Sequence, residues 1–199
     1  MEHLDDTQVT TRTGGAPVSN PPDRPHPPAR AAQPGAPVRH AVFGSPVGDL
    51  TAVGTSEGLR ALYFDAHTRR PAGETFGERD DAAFTQVRTQ VGEYFAGTRR
   101  VFDLDLAPVG DGFQLEVWAL LAQIPYGERR SYGDLALALG GRNLARAVGA
   151  ANGQNPLSII VPCHRVVGAD GSLVGYGGGL PIKRYLLELE SAAQPLFMP

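Results

Sequence analysis

The chain has 199 residues, of which 42% are hydrophobic and 20% charged, a balance typical of a globular protein with one or two domains. The longest apolar run, residues 135–139, is too short for a membrane helix, and acidic residues near the start argue against a secretory signal. The net charge of −3 speaks against a general polyanion binder. The single cysteine, Cys163, excludes an intrachain disulfide framework and a multi-cysteine zinc site.

The first half of the chain divides into a tail and a small domain. Residues 1–37 hold 8 of the 17 prolines and almost no large apolar side chains, which predicts a disordered tail. Residues 38–108 are predicted to form an N-terminal domain. It begins with an antiparallel three-strand meander over 38–45, 49–55 and 59–65, because β-rich runs alternate there with turn residues. Apolar residues at helical spacing predict a helix over 80–95, and alternation over 101–106 predicts an edge strand.

Residues 109–192 are predicted to form a second, helical domain, followed by a C-terminal tail over 193–199. An apolar stripe predicts a helix over 113–124, with Trp118 in the core. Ser131 as N-cap and Asp134 at the capping-box position predict a helix over 131–139. Asn143 as N-cap predicts the next helix, over 143–151. Two short helices joined by a glycine-containing turn form a helix-turn-helix pattern, so the fold class is α+β.

The chain's one concentration of positive charge lies in this pattern. Residues 129–165 carry a single acid, Asp134, against five arginines: Arg129, Arg130, Arg142, Arg146 and Arg165. A solvated face is the usual interpretation of such a cluster, and DNA contact is the other. The third helix offers only Arg146 among alanines and glycines, whereas sequence-specific readers aim several long polar side chains at bases. If this helix binds DNA, we expect it to read shape and phosphates with little sequence preference.

The chemistry concentrates at Cys163. A β-branched run, residues 158–161, predicts a short strand that ends at Pro162 and presents Cys163 and His164 on the following turn. Histidine or arginine near a thiol favours the reactive thiolate, and His164 is expected to act through a water or a turn. The glycine-rich segment 175–179 would let backbone N–H groups approach a planar ligand. An isolated Cys-His pair is more often structural, but this combination favours a nucleophile.

Several segments together resemble the O6-methylguanine-DNA methyltransferase family in its bacterial form. They are Ser131-Tyr132, residues 145–149, Asn155-Pro156, residues 161–166 and residues 176–179, within a match over 113–190 and a looser one over 38–106. The resemblance implies a ribonuclease-H-like N-terminal domain before a C-terminal helix-turn-helix domain. It implies base flipping and irreversible, single-turnover transfer of an alkyl group from O6-alkylguanine, and from O4-alkylthymine, in duplex DNA to the cysteine. It also implies a monomer without cofactor, metal, membrane or obligate protein partner, located in the cytoplasm at the nucleoid.

The resemblance also assigns roles to individual residues. Cys163 is the alkyl acceptor, His164 the water-mediated base and Glu190 its orienting carboxylate, with Glu188 a competing choice on spacing alone. Tyr132 donates its hydroxyl to the guanine and Asn155 braces the turn before the active site. The implied DNA contacts are Ser131, Tyr132, Asn143, Ala145, Arg165 and Arg146, the last as the finger that replaces the flipped base. The implied pocket is Ser158, Val166, Tyr176, Gly177 and Gly178, with carbonyl groups near Cys163 and Val166 accepting from the guanine amine.

Two departures and two alternatives stand beside this interpretation. Ser158 occupies a position that is proline in the pocket of vertebrate members, and no cysteine precedes Cys163, so their N-terminal zinc site is not expected. A helix-turn-helix regulator without chemistry predicts sequence-specific binding, which the third helix disfavours. A thiol hydrolase or redox protein predicts turnover or a partner thiol, and the lack of a second cysteine disfavours the redox version.

Overall fold

The computed structural model describes residues 35–192. The predicted N-terminal tail up to residue 34 and the predicted C-terminal tail lie outside the described residues. The strands are β1 (Arg39–Phe43), β2 (Leu50–Thr55), β3 (Gly58–Phe64), β4 (Glu78–Arg79), β5 (Arg130–Ser131) and β6 (Val166–Val167). The helices are α1 (Thr85–Phe95), α2 (Gly112–Ala122), α3 (Tyr132–Ala138), α4 (Ala145–Gly153) and α5 (Leu180–Ala192). Short 3₁₀ turns cover Gly73–Phe76, Arg142–Leu144 and Cys163–Arg165.

The N-terminal half is a four-stranded sheet in the order β3-β2-β1-β4. Strands β1, β2 and β3 pair antiparallel, which confirms the predicted meander, and β4 adds to β1 in parallel. Phe43 faces Leu50, and Leu50 in turn faces Phe64, so the large apolar side chains align across the sheet. These side chains belong to the main core, into which α1 packs Val87, Val91 and Tyr94.

Two predictions for this half are wrong in part. The helix begins at Thr85 and not at residue 80, because the Asp80 carboxylate accepts from the Ala82 and Ala83 N–H groups and holds a turn there. Residues 101–106 form no strand. Their backbone at Asp103 is instead bonded by the Gln90 side chain, whose amide both donates to the Asp103 carbonyl and accepts from its N–H.

The outer edge of β3 joins the two halves of the molecule. Leu59 makes an isolated parallel bridge to Leu106, and Leu62 makes one to Leu157. The Leu62 N–H donates to Pro156 O at 2.8 Å, and the Ser158 N–H donates to Leu62 O at 3.2 Å. An unpaired strand edge needs partners for its backbone groups. At Leu62 the segment just before Cys163 supplies them, so the N-terminal sheet fixes where the cysteine loop lies.

Capping side chains begin the first two helices of the C-terminal half. Asp111 and Gln114 form a reciprocal capping box at α2. Ser131 and Asp134 form the box predicted at α3. Trp118 is buried as predicted, and its indole N–H donates to Ala151 O on α4 at 2.9 Å.

The helix-turn-helix is present as α3 and α4, but the start of its second helix differs from the prediction. Residues Arg142–Leu144 form a 3₁₀ turn that runs directly into α4. Leu144 already has helical backbone angles, so no side chain caps the helix there. The prediction of Asn143 as N-cap is therefore wrong.

Candidate active site

The cysteine is presented by a 3₁₀ turn that follows irregular backbone. Residues 158–161 form turns and not the predicted strand, because the N–H groups of Ile160, Val161 and Cys163 bond to carbonyls only two to four residues earlier in the chain. Ile159 has a φ of 71°, in the left-handed region that β-branched residues rarely adopt. Strain of this kind persists only where surrounding contacts enforce it, and it is common at active sites. Cys163 begins the 3₁₀ turn and is buried.

Asn155 holds this irregular segment together. Its Nδ2 donates to Val161 O at 2.8 Å, and its Oδ1 accepts from the Leu157 N–H at 3.0 Å. The side chain is buried, so both bonds are shielded from water. Asn155 thus spans both ends of the turn and lies where the resemblance assigns a brace.

His164 and Glu190 form a buried pair. His164 Nε2 lies 2.8 Å from Glu190 Oε1, and both side chains have 0% exposure. Burial lowers the pKa of His164, and Glu190 opposes that effect only in part, so the imidazole is neutral near pH 7. An ionised carboxylate only accepts hydrogen bonds, so Nε2 carries the hydrogen and Nδ1 keeps its lone pair. Nδ1 has no hydrogen-bond partner among the described residues and is free to act as a base.

Arg165 supplies the charge that keeps Glu190 ionised. Its Nε and terminal nitrogen donate to the two carboxylate oxygens at 2.9 and 3.0 Å, and a further N–H donates to Ile124 O. Burial raises the pKa of Glu190, but hydrogen bonds from His164 and Arg165 and the guanidinium charge outweigh it and lower the pKa. The prediction of Arg165 as a DNA contact is wrong, because the guanidinium is buried and each of its three nitrogens donates to a group inside the protein.

The structure also decides between the two candidate carboxylates for the partner of His164. Glu190 points into the interior, whereas Glu188 is exposed on the other side of α5. Glu190 accepts two more hydrogen bonds, from the Tyr94 hydroxyl at 2.9 Å and the Gly127 N–H at 3.1 Å. The carboxylate that the resemblance assigns is therefore the one beside His164.

Burial raises the pKa of the Cys163 thiol, and this outweighs the opposing effects of Asn155 and of the Lys183 charge. The resting cysteine is consequently a neutral thiol that needs a base to become a nucleophile. Burial, together with the nearby Cys163, also raises the pKa values of Tyr132 and Tyr176. Both phenols therefore stay protonated and can donate. Tyr132 lies beside Gly149 of α4, where an added Cβ would meet its ring at an ordinary contact distance of 3.8 Å.

Lys183, the chain's single lysine, is a site residue that the sequence analysis did not predict. Its ammonium is fully buried and donates to Val166 O at 2.6 Å and Val174 O at 2.7 Å, so it ties β6 to the pocket loop, residues 174–179. Burial lowers the pKa of Lys183 to about 8. The sequence holds one lysine beside seventeen arginines, and this exception was the signal that could have indicated its role. A compact ammonium directs its donors to several carbonyls from one point, which a planar guanidinium does not.

The glycines of the pocket loop are packed against the N-terminal domain. A Cβ at Gly177 would overlap the His67 ring, and one at Gly178 would overlap the Phe64 ring. The Thr68 N–H donates to Gly177 O at 2.9 Å, and the Tyr176 ring lies 5.8 Å from that of Phe64. The lack of a side chain at these two glycines thus leaves space for aromatic rings of the N-terminal domain, in addition to the space that a ligand would need.

The residues assigned to DNA lie mostly on one surface around α3 and α4. Asn143 and Arg146 are exposed, Ser131, Tyr132 and Ala145 are half-buried, and the Ser131 hydroxyl caps α3. Arg129 and Arg142 are also exposed, and Arg130 pairs with Glu128 at 2.8 Å. Of the assigned pocket residues, Ser158 and Val166 are buried next to the cysteine turn. Four of the five clustered arginines are therefore available to a polyanion.

The fold and the site together define a two-domain protein with a buried cysteine, histidine and glutamate beside a helix-turn-helix. Two family models match it: the ribonuclease-like domain of 6-O-methylguanine DNA methyltransferase over residues 38–108, and the DNA binding domain of that family over 112–192. The chain belongs to this family, which confirms the resemblance read from the sequence.

Individual relatives agree with this assignment. The methylated-DNA–protein-cysteine methyltransferase of Methanosarcina acetivorans is 44% identical over 153 residues, covering 77% of this chain and 98% of the relative. The Mycobacterium tuberculosis protein of the same name is 47% identical over 158 residues, covering 79% and 95%. The crystal structure of Mycobacterium tuberculosis OGT in complex with DNA matches with a TM-score of 0.75 and 47% identity, over 79% of this chain and 95% of that one.

Proposed function

We propose that this protein repairs DNA by direct reversal, transferring the alkyl group of O6-alkylguanine in duplex DNA to Sγ of Cys163 in one irreversible turnover. The observation that carries the proposal is the chain's single cysteine, buried next to a neutral histidine that a carboxylate orients. Membership of the methyltransferase family supplies the substrate class. O4-alkylthymine presents the same kind of alkyl ether and is included in the proposal as a second substrate.

The proton of the thiol goes to His164. Nδ1 takes it, directly or through one water, and the resulting imidazolium is stabilised by the Glu190 carboxylate on the other side of the ring. Asn155 and the Lys183 charge favour the thiolate as it forms. The thiolate then attacks the alkyl carbon, so that an S–C bond forms while the O6–C bond breaks.

The guanine leaves with the electron pair of the broken bond and needs one proton to become neutral. Tyr132, protonated and half-buried beside Cys163, donates a hydrogen bond to the leaving base and stabilises the developing charge. Carbonyl groups near Cys163 and Val166 accept from the guanine amine, and Tyr176 with Gly177 and Gly178 encloses the alkyl group. The proton that guanine takes up is matched by the one that the thiol gave to His164, so the reaction has no net proton change and requires no cofactor.

Base flipping makes this chemistry possible. A base inside a duplex is out of reach of a buried thiol, so the target must rotate into the pocket. Arg146 projects from α4 among small residues, and we assign it to the space in the stack that the base leaves. Arg129, Arg130 and Arg142 contact phosphates, so affinity for DNA falls with salt and varies little with sequence.

Within residues 35–192 no helix is long and apolar enough to span a membrane. We infer a monomer that acts at the nucleoid in the cytoplasm.

Titration with a duplex that contains O6-methylguanine tests the proposal. We expect transfer to stop at one methyl per molecule, with a mass increase of about 14 Da on the peptide that contains Cys163, because a thioether has no acyl carbon for water to attack. The Cys163→Ser variant should bind the duplex and transfer nothing, since a serine hydroxyl is far less ionised than a thiol. A plateau well above one equivalent, or methylation elsewhere in the chain, would overturn the proposal.

A further inference from the structure

Glu190 receives one hydrogen bond from outside the C-terminal domain. The Tyr94 hydroxyl, on α1 of the N-terminal domain, donates to Glu190 Oε1 at 2.9 Å across 96 positions of sequence. Both side chains have 0% exposure. The same oxygen accepts from His164 Nε2 at 2.8 Å and from Arg165 at 3.0 Å. Tyr94 and His164 therefore share one acceptor atom.

We propose that Tyr94 is a positioning residue for alkyl transfer: through Glu190 Oε1 it limits how strongly that oxygen binds His164, and so sets the lower pH limit at which His164 accepts the Cys163 proton. This inference rests on the proposed function. It goes beyond it by placing part of the control of the reaction in the N-terminal domain.

The physical reason is competition for the negative charge of one carboxylate oxygen. Each donor to Oε1 draws on that charge and weakens the oxygen as an acceptor for the others. Without the Tyr94 hydroxyl, Oε1 binds His164 Nε2–H more strongly, and the imidazolium gains more from the contact than the neutral ring does. His164 then keeps its proton to higher pH, so as the pH is lowered it stops acting as a base at a higher pH than in the wild type.

Other charged and titratable groups also face this pair and stay the same in the test. They are Cys163 and Arg165 on the 3₁₀ turn, Lys183 on α5, Tyr176 on the pocket loop, and Tyr126 after α2. The Tyr94 ring packs against the rings of Phe95, Phe102 and Tyr126, at centroid distances of 5.4 to 6.1 Å. Tyr94→Phe keeps that packing and removes only the hydroxyl.

Tyr126→Phe is the matched control. Its hydroxyl is buried and close enough to Glu190 for that charge to raise its pKa, but it forms no hydrogen bond among the described residues. The ring, over which the Arg165 guanidinium lies at 5.6 Å, is retained in phenylalanine. Both variants thus lose one buried phenol oxygen near Glu190, and only Tyr94→Phe loses a bond to it.

The experiment measures the rate of methyl transfer from an O6-methylguanine duplex to the full-length protein between pH 5 and pH 9. In Tyr94→Phe we expect the acidic limb of the profile to move up by roughly half to one pH unit, with a plateau within about twofold of wild type. Tyr126→Phe should keep the wild-type limb. An unmoved limb, or an equal loss of rate at every pH, would overturn the proposal.

A second measurement does not depend on transfer. In ¹H–¹⁵N spectra of the unreacted protein at neutral pH, the His164 Nε2 proton should move downfield in Tyr94→Phe and stay in place in Tyr126→Phe. An unchanged resonance in Tyr94→Phe counts against the inference even if the rates change. If wild-type protein transfers no alkyl group at any pH, the proposed function fails, and the resonance alone then decides the role of Tyr94.

Discussion

Glu190 shows what a single buried charge requires of its surroundings. Moving a carboxylate out of water is unfavourable by several kcal/mol unless a counter-charge and enough donors meet it. Glu190 has both, with the bidentate Arg165 guanidinium and further bonds from Tyr94, Gly127 and His164. The same contacts that make its burial possible also orient His164, so stability and chemistry depend on one side chain.

Glu190→Gln should therefore lower stability in a pH-dependent way. The pKa of Glu190 in the folded protein lies below the ordinary value of about 4.3, so its ionised form stabilises the fold fully above that pH. This contribution is lost as the pH falls below about 4 toward the lower folded-state pKa. At pH 7 we expect the variant to be less stable by about 3–5 kcal/mol, because the buried Arg165 guanidinium loses its counter-charge.

Urea unfolding of both proteins at pH 7, 4 and 3 measures this difference, because the contribution of the ionised carboxylate is lost only below about pH 4. Wild type and Glu190→Gln should converge as the pH falls. Glu188→Gln, an exposed glutamate on the same helix, serves as the control and should stay within about 0.5 kcal/mol of wild type. A destabilisation that is equal at all three pH values would show that packing, and not the charge, dominates.

At the scale of elements, α4 is unusual as the second helix of a helix-turn-helix. Its side chains are mostly alanine and glycine, and Val148, Ala151 and Asn152 are the ones it buries. Gly149 lies beside the Tyr132 ring. A helix with so few long side chains allows its backbone to approach DNA closely, and Arg146 is its one exposed long polar side chain. The composition suits a protein that must bind every sequence context.

Arg146→Ala should separate base flipping from chemistry. If Arg146 supports only the extruded state, the variant should transfer methyl from saturating duplex roughly tenfold more slowly or worse, since about 1.4 kcal/mol corresponds to a factor of ten. Transfer from free O6-benzylguanine, which needs no flipping, should stay within about twofold. Arg142→Ala, an exposed arginine one turn earlier, is the control and should weaken duplex affinity without slowing transfer at saturation. Equal losses by Arg146→Ala on both substrates would make Arg146 a structural residue.

At the scale of the whole molecule, the sheet domain shapes the alkyl-transfer site. The β3 edge pairs with the segment before Cys163, α1 provides Tyr94 to Glu190, and the end of β3 places Phe64 and His67 against the pocket loop. His67 and Phe64 stack nearly parallel, with an interplanar angle of 15°. The two domains therefore share one core, and the active site forms where they meet.

Gly177→Ala directly tests this contact between the N-terminal domain and the pocket loop. The added methyl group overlaps the His67 ring, so we expect a loss of about 1–3 kcal/mol in the free energy of unfolding, as in other overpacked sites. His67→Ala in the same chain should recover part of that loss, and a double-mutant cycle measured by urea unfolding gives the coupling. Gly112→Ala, where an added Cβ meets nothing within 4 Å, should leave stability unchanged or slightly raised. Strict additivity of the two changes would contradict the contact.

Features that depend on a few neighbouring residues could be predicted from the sequence. The Ser131–Asp134 capping box, the meander and the burial of Trp118 follow from side chains that satisfy nearby backbone groups or from apolar periodicity. The cysteine motif and the family came from short segments as well. The starts of two helices could not be predicted in this way. At Asn143 and over residues 80–84, local hydrogen bonds hold turns where the sequence pattern indicated the first residues of a helix.

The sequence by itself thus determined the local elements, the reactive cysteine and the family, since those depend on contacts within a few residues. Only the tertiary structure decided that Arg165 is buried on Glu190, that Glu188 is excluded, and that 101–106 and 158–161 are not strands. It alone brought Tyr94 and Lys183 to the site. The physical reason is that a buried charge or an unpaired backbone group takes its partner from whichever distant segment the core brings within reach, and spacing along the chain carries no record of that choice.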